Sequence, residues 1–285
     1  MDKNLDGKFE RTIREQVFFR GSCLHSGRKA TLTLSPAPAG SGVIFLRRDG
    51  GELRELPARV ENIVDGARAT TLGRGHVQVR TVEHLMAALR GLSVDNVICE
   101  LDSDEVPMGD GSAAVFVDLI RRAGIISQDC PAKEYILRHP VWVRKGSRYL
   151  VALPYDGQCL KVTYCFVGDD PCPGTQQVEF DINEDIFIRE VAPARTVAFE
   201  QEIASLRSLG LGLGGDLDTV LVAGKDGYLN EPRYPDEVAR HKVLDLVGDL
   251  ALAGRVVAHV IGIGSGHAMN HELARKIIEA CCPAL

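Results

Sequence analysis

The sequence predicts an α+β fold of two domains with similar topology, each a β-sheet layered with two helices. Three observations point there. Short runs of strand period alternate with stretches of helical period. The order strands, helix, strand, helix occurs twice along the chain, without a residue-level repeat. Between the two passes, residues 124–133 have the polar, proline-containing look of a linker. The domains are therefore placed at 1–127 and 128–285, and 285 residues are enough for two ordinary cores.

Residues 11–46 read as strands: Thr31-Leu32-Thr33-Leu34-Ser35 alternates with period two, and Pro36-Ala37-Pro38 stops it. Short strands are expected at 59–64 and 69–72. A helix follows over 81–91, with Thr81 as N-cap, Glu83 in the first turn and Gly91 at its end. A strand over 96–101 leads to a second helix, which Ser112 opens and Gly124 closes. The second pass has strands near 135–143, 149–153, 160–166 and 178–182, then a helix over 199–209 and a strand at 220–222. A long helix over 234–254 is expected to hold Pro235 in its first turn and to stop at Gly254. A strand over 255–263 and a helix over 269–281 complete the pass.

The helix over 234–254 is the most informative element. At about 100° per residue, Val243, Leu244, Val247 and Leu250 share an apolar face, while His241, Lys242, Asp245 and Asp249 gather on the other. His241 and Asp245 are one helical turn apart, so both side chains can reach one point. A solvated charged face is the ordinary explanation for such a pattern, and a metal site needs a further ligand from elsewhere.

Composition narrows the classes. Hydrophobic residues make up 45% and charged residues 25%, as in a globular chain with real cores. A net charge of -6 argues against a nucleic-acid partner, which would need a basic face. No apolar run reaches the roughly 18–20 residues of a membrane span, and the first eight residues lack the apolar core of a signal peptide. None of the 8 cysteines forms a Cys-x-x-Cys pair, which weakens thiolate-metal readings. A cytoplasmic, monomeric protein is expected.

Two glycine-rich stretches carry no nucleotide or nucleophile motif. Gly210-Leu211-Gly212-Leu213-Gly214-Gly215 follows a helix where a dinucleotide fingerprint follows a strand. Gly264-Ser265-Gly266 does not complete a nucleophile elbow. Among the histidines, His76, His139, His259 and His271 lack supporting neighbours and read as structural or surface. His84 follows Glu83 at a helix start, and His267 lies in a glycine loop. His84, His241 and Asp245 would make a two-imidazole, one-carboxylate set of the kind that holds catalytic zinc and leaves a position for water. Glu83 would then take a proton and a cationic His267, oriented by Asp249, would return one.

Three longer stretches carry a resemblance: Thr-Val-Glu-His-Leu-Met-Ala-Ala-Leu at 81–89, Arg-His-Lys-Val-Leu-Asp-Leu-Val-Gly-Asp-Leu at 240–250 and Ser-Gly-His-Ala-Met-Asn at 265–270. With Leu24-His25-Ser26-Gly27, Asp110-Gly111-Ser112-Ala113, Ala194-Arg195-Thr196 and Leu229-Asn230-Glu231, they resemble the UDP-3-O-acyl-N-acetylglucosamine deacetylase family in order over nearly the whole chain. The resemblance implies zinc-dependent removal of the N-acetyl group from UDP-3-O-[(3R)-3-hydroxyacyl]-N-acetylglucosamine, the committed step of lipid A biosynthesis. It implies an active site at the domain interface, with Zn2+ on His84, His241 and Asp245, Glu83 as base, and His267, held by Asp249, as the protonated partner. Thr196 would support the oxyanion and Lys242 would meet the substrate's polar end. Leu24, His25, Val197 and Phe199 would contact substrate, with residues 187–222 forming an acyl-chain passage to which Leu211 and Leu213 also contribute. The family commonly has Phe after Ala-Arg-Thr where Val197 stands, glycine where Cys23 stands, and a larger residue at Gly109. The altered wall at 197 implies changed acyl fit with the chemistry preserved. The rival readings are a zinc amidohydrolase of another UDP-sugar and, in another class, a non-catalytic UDP-lipid-binding regulator.

Overall fold

The computed structural model describes residues 9–49, 51–168 and 170–281, so the expectation for the first eight residues lies outside it. The first half builds a five-stranded sheet from β1 (Val17–Ser22), β2 (Lys29–Pro36), β3 (Val43–Asp49), β4 (Glu52–Pro57) and β5 (Val97–Leu101), in the order β1-β2-β5-β3-β4. The second half builds another from β6 (Val141–Lys145), β7 (Arg148–Leu153), β8 (Leu160–Phe166), β9 (Gln176–Ile182) and β10 (His259–Ile263), in the order β6-β7-β10-β8-β9. The two orders are the same. In each, two hairpins flank a late strand that runs antiparallel to the second strand and parallel to the third, with Leu32 opposite Leu101 and Val43 opposite Val97 in one sheet. Leu150 stands opposite Gly262 and Val162 opposite Val260 in the other. The expected α+β repeat is therefore present at the level of topology.

Alternation sets which face of each strand is buried. Ala30, Leu32 and Leu34 of β2 point inward while Thr31 and Thr33 are half-buried, and Leu160, Val162 and Tyr164 of β8 repeat the pattern. Helices α1 (Glu83–Gly91) and α2 (Ala114–Ala123) belong to the first half, and α4 (Glu237–Ala251) and α5 (His267–Cys281) to the second, with α3 (Glu200–Ser208) in the excursion before α4. α2 packs on β1, α5 packs on β6 and β7, and α4 packs on β8. α1 and α4 pack on each other, so the layers run sheet, helices, helices, sheet, and most of the buried apolar residues form one continuous core. No helix among the described residues is long and apolar enough to cross a membrane.

Several local expectations are corrected. Residues 124–133 are not a linker: Ile125–Pro131 is a strand that pairs antiparallel with Phe9–Ile13, and position 127 lies inside it. Its polar residues had hidden the strand, yet Gln128 spans the Ala37 carbonyl and Asn96 from there. Thr81 does not cap α1. It takes φ 57, and its hydroxyl reaches Glu105 while Val82 precedes the helix. Pro235 precedes α4, which begins at Glu237. α5 begins at His267, two residues before the expected start.

Candidate active site and metal centre

The polar face of α4 is not a solvated face. His241 and Asp245 are each 2% exposed and Asp249 is fully buried, because α1 covers that side of the helix. Close packing depends on Gly248: a Cβ there would stand 2.0 Å from the Glu83 carbonyl oxygen. The start of α1 is thereby pressed onto the middle of α4, which brings Glu83 and His84 to His241 and Asp245.

His84, His241 and Asp245 offer three ligand atoms that lie within 4.8 Å of one another, all buried. Asp245 Oδ1 stands 3.3 Å from His241 Nε2 and 3.8 Å from His84 Nε2. Burial lowers the His84 imidazole to about 4 and the His241 imidazole to about 3, so both are neutral near pH 7. The Asp245 carboxyl is opposed by burial, but His241 and Lys242 beside it hold it well below the usual carboxylate range. A neutral His241 has one ring hydrogen, and its Nδ1 lies 3.1 Å from the Ala194 carbonyl, which only accepts. The hydrogen therefore sits on Nδ1 and the Nε2 lone pair faces Asp245 and His84. Two neutral imidazoles and one carboxylate fit a divalent cation in both charge and donor type.

Two further groups frame this set. Glu83 is 3% exposed, accepts a hydrogen bond from the Thr70 amide at 3.0 Å, and is pushed up by burial to about 7. His267 directs Nδ1 to Asp249 Oδ2 at 2.9 Å and Nε2 towards Asp245 Oδ2 at 3.9 Å. Burial works against its charge, but Asp249 and Asp245 outweigh it and raise the imidazole to about 10, so His267 is cationic. Lys242 donates to Asp245 Oδ2 at 2.7 Å.

A cavity of 480 Å³ opens from these groups, lined by Glu83, His84, Thr196, His241, Lys242, Asp245 and His267. Leu24, His25, Val197, Phe199 and Leu211 line it as well, together with Arg148, Phe166 and Arg207. Asp249 stands behind His267, outside the lining. The structure thus gathers the sequence-selected residues except Leu213, whose side chain does not line the cavity: its amide donates to the His25 carbonyl and the residue is half exposed. An apolar residue type alone could not distinguish a wall position from a surface one.

Other residues escaped sequence reasoning. His271, read as structural or surface, is 3% exposed and belongs to this network. Its Nε2 lies 3.3 Å from Asp249 Oδ1 and 2.8 Å from the Thr70 hydroxyl. Asn270 Nδ2 donates to Asp249 Oδ2 at 2.9 Å. One helical turn separates His267 from His271, a spacing visible in the sequence, but Thr70 is 201 positions from His271 and no local pattern joins them. Buried Glu105 accepts from the His25 and Ser26 amides at 2.7 and 2.9 Å, which fixes the loop carrying Leu24 and His25. Buried Arg195 forks onto Glu237 at 2.9 and 3.1 Å, locking residues 194–196 to the start of α4. The Thr196 amide then donates to the Gly111 carbonyl at 2.8 Å.

A cation site of two imidazoles and a carboxylate, beside a buried carboxylate and a cationic imidazole, has the composition of a hydrolytic metal centre. Comparison with known proteins agrees with that class. The sequence profile described as UDP-3-O-acyl N-acetylglycosamine deacetylase matches residues 10–279. The chain is 43% identical over 279 residues to the UDP-3-O-acyl-N-acetylglucosamine deacetylase of Chlamydia abortus, covering 96% of this chain and 98% of that protein. It is 41% identical over 272 residues to the enzyme of the same name from Myxococcus xanthus, covering 94% and 86% respectively. The counterpart from Anaeromyxobacter dehalogenans is 43% identical over 272 residues, with 94% and 87% covered. The chain belongs to the UDP-3-O-acyl-N-acetylglucosamine deacetylase family, and it is an enzyme.

Proposed function

We propose that this chain hydrolyses the N-acetyl group of UDP-3-O-[(3R)-3-hydroxyacyl]-N-acetylglucosamine, releasing acetate and leaving a free amine, as the committed step of lipid A biosynthesis. The observation that carries the reading is the convergence of Glu83, His84, His241, Asp245 and His267 at the inner end of one cavity. Membership of the family supplies the substrate class.

His84, His241 and Asp245 would hold the metal, which we take to be zinc from the mixed nitrogen and oxygen donor set. When bound there, it would supply Lewis acidity towards a carbonyl and lower the pKa of water. Glu83 takes the proton of the attacking water on its carboxylate, which must be unprotonated for that step. His267 enters protonated, stabilises the developing negative oxygen from Nε2, and passes that proton to the departing amine nitrogen. Asp249 keeps the ring oriented through Nδ1, with Thr70, Asn270 and His271 fixing the carboxylate. Thr196 supports the oxygen from the cavity wall, and Lys242 meets the polar end of the substrate. Leu24, His25, Val197, Phe199 and Leu211 border the acyl chain.

We assign the two halves to two domains, on the strength of the repeated strand order, and place the boundary after the strand Ile125–Pro131, which pairs with Phe9–Ile13, instead of within it at 127. The nucleotide-linked substrate fits a cytoplasmic enzyme. The direct test is release of acetate from the UDP-3-O-acyl substrate, with and without a chelator. Turnover that stops with chelation and returns with zinc supports the assignment. Turnover indifferent to chelation removes the metal from the reaction, and activity confined to unacylated UDP-sugars moves the chain to the rival substrate.

A further inference from the structure

A second cavity, of 380 Å³, lies between the two halves where α1 and α4 end, away from the starts of α1 and α5 that build the catalytic site. Its size is in the range of about 300–1,000 Å³ common to small-ligand sites. Met86, Leu89, Val94, Leu252 and Ile278 give it an apolar wall, and Arg90 enters it from the last turn of α1.

Arg90 is half-buried and makes no hydrogen bond or ion pair among the described residues. The groups that would ordinarily explain it are already used. The carbonyls of Ala88, Leu89 and Arg90 accept from Leu92, Val94 and Ser93, so the end of α1 needs no cationic cap. Asp95, the carboxylate drawing Arg90 most strongly, receives Arg255 Nε at 2.7 Å on one oxygen. Its other oxygen receives Arg255 Nη2 at 2.6 Å and the Arg11 amide at 2.8 Å. Glu10 Oε2 receives the Gly40 amide at 2.7 Å and Asn96 Nδ2 at 2.8 Å. Arg59 also lines the cavity and makes no side-chain bond among the described residues, against Glu61 as the remaining acid of the lining. Burial first, and the neighbouring Arg255 guanidinium second, push the Arg90 guanidinium down to about 10, while Asp95 and Glu134 oppose the shift without forming an ion pair with it.

We infer that this cavity is a binding site for a small organic oxyanion, a phosphate monoester or carboxylate with a compact apolar body, and that the Arg90 guanidinium is its anchor. A guanidinium presents a planar fork that grips such a head group bidentately. The apolar wall would cover the body, so an alkyl phosphate should bind more tightly than inorganic phosphate. An occupant would touch the ends of α1 and α4, the two helices that carry His84, His241 and Asp245.

The test is calorimetric titration of the full chain with n-butyl phosphate, inorganic phosphate and n-butanol. The inference expects saturable binding of butyl phosphate, weaker binding of inorganic phosphate and none of butanol. Arg90→Gln should weaken butyl phosphate at least tenfold, and Arg90→Lys should fall between, with circular dichroism confirming that both variants fold. Lys242→Ala, which removes a cation from the catalytic cavity, should leave that affinity unchanged. An absent isotherm at millimolar butyl phosphate, or equal affinity in Arg90→Gln, overturns the inference. So does loss of binding in Lys242→Ala, which would place the anion in the catalytic cavity.

Discussion

The first half places a small three-stranded sheet, Ile63–Asp65, Thr71–Arg74 and Val77–Val79, between β4 and α1. In the second half the corresponding stretch between β9 and α4, residues 183–236, is an excursion that carries Thr196, Val197, Phe199 and α3. The sheets beneath have the same strand order, and α1 and α4 occupy equivalent places after four strands. The shared scaffold accounts for the meeting of two helices at the seam. The differences account for the division of groups: α1 supplies one imidazole and, at its start, the Glu83 carboxylate proposed as base, while α4 supplies an imidazole and two carboxylates along one face. The excursion of the second half then walls the cavity. Neither half holds the donor set alone.

Changes at the seam should show how far the halves depend on each other. The largest effect short of losing a metal ligand is expected from Glu83→Gln, which keeps the size and removes the base. Turnover should fall about 10²–10⁴-fold with metal content unchanged; normal turnover would take the base role from Glu83. Asp249→Asn should cost roughly 10–100-fold, as loss of a partner that orients a catalytic ring does, and its pH profile should shift. The profile of kcat/KM should be bell-shaped. Activity rises as Glu83 loses its proton around or below pH 7 and falls as His267 loses its own at or below about 10. A bound divalent cation favours the carboxylate and disfavours the imidazolium, so it moves both limbs down. Removing Asp249 should bring the alkaline limb lower still, and an unmoved limb would detach Asp249 from His267.

Gly248→Ala probes the packing between halves without touching a reacting group. The added methyl must separate Glu83 from α4, and a misplacement of this kind can cost up to about a hundredfold in rate. A drop in kcat with KM little changed is expected; unchanged kinetics would show that the seam tolerates separation. The smallest effect is expected from Val197→Phe, in the excursion alone. It should alter the preference between long and short acyl chains by about tenfold or less and leave the pH profile intact. Identical chain-length preference would remove Val197 from the substrate wall.

What the sequence made legible follows from range. The period of α4 showed His241, Asp245 and Asp249 on one face, while Glu83-His84 stood out by residue type at a helix start and His267 by residue type in a glycine loop. Whether that face met water or another helix was a tertiary question, answered by Gly248 and α1. The supporting contacts were illegible for the same reason. Thr70 meets Asp249 across 179 positions, and Glu105 holds the His25 loop across 80. The strand at Ile125–Pro131 was hidden because edge pairing with Phe9–Ile13 leaves its side chains half-wet, so its composition resembles that of a loop. The topological repeat, in contrast, was visible as an order of elements, since short connections and alternating patterns are local properties.

Metal analysis of two variants, one from each half, tests the shared centre most directly. His84→Ala alters only the first half's contribution and His241→Ala only the second's. Both variants, folded by circular dichroism, are expected to lose the metal that the unaltered chain retains through gel filtration. Full metal occupancy in either variant would contradict a single centre assembled from both halves.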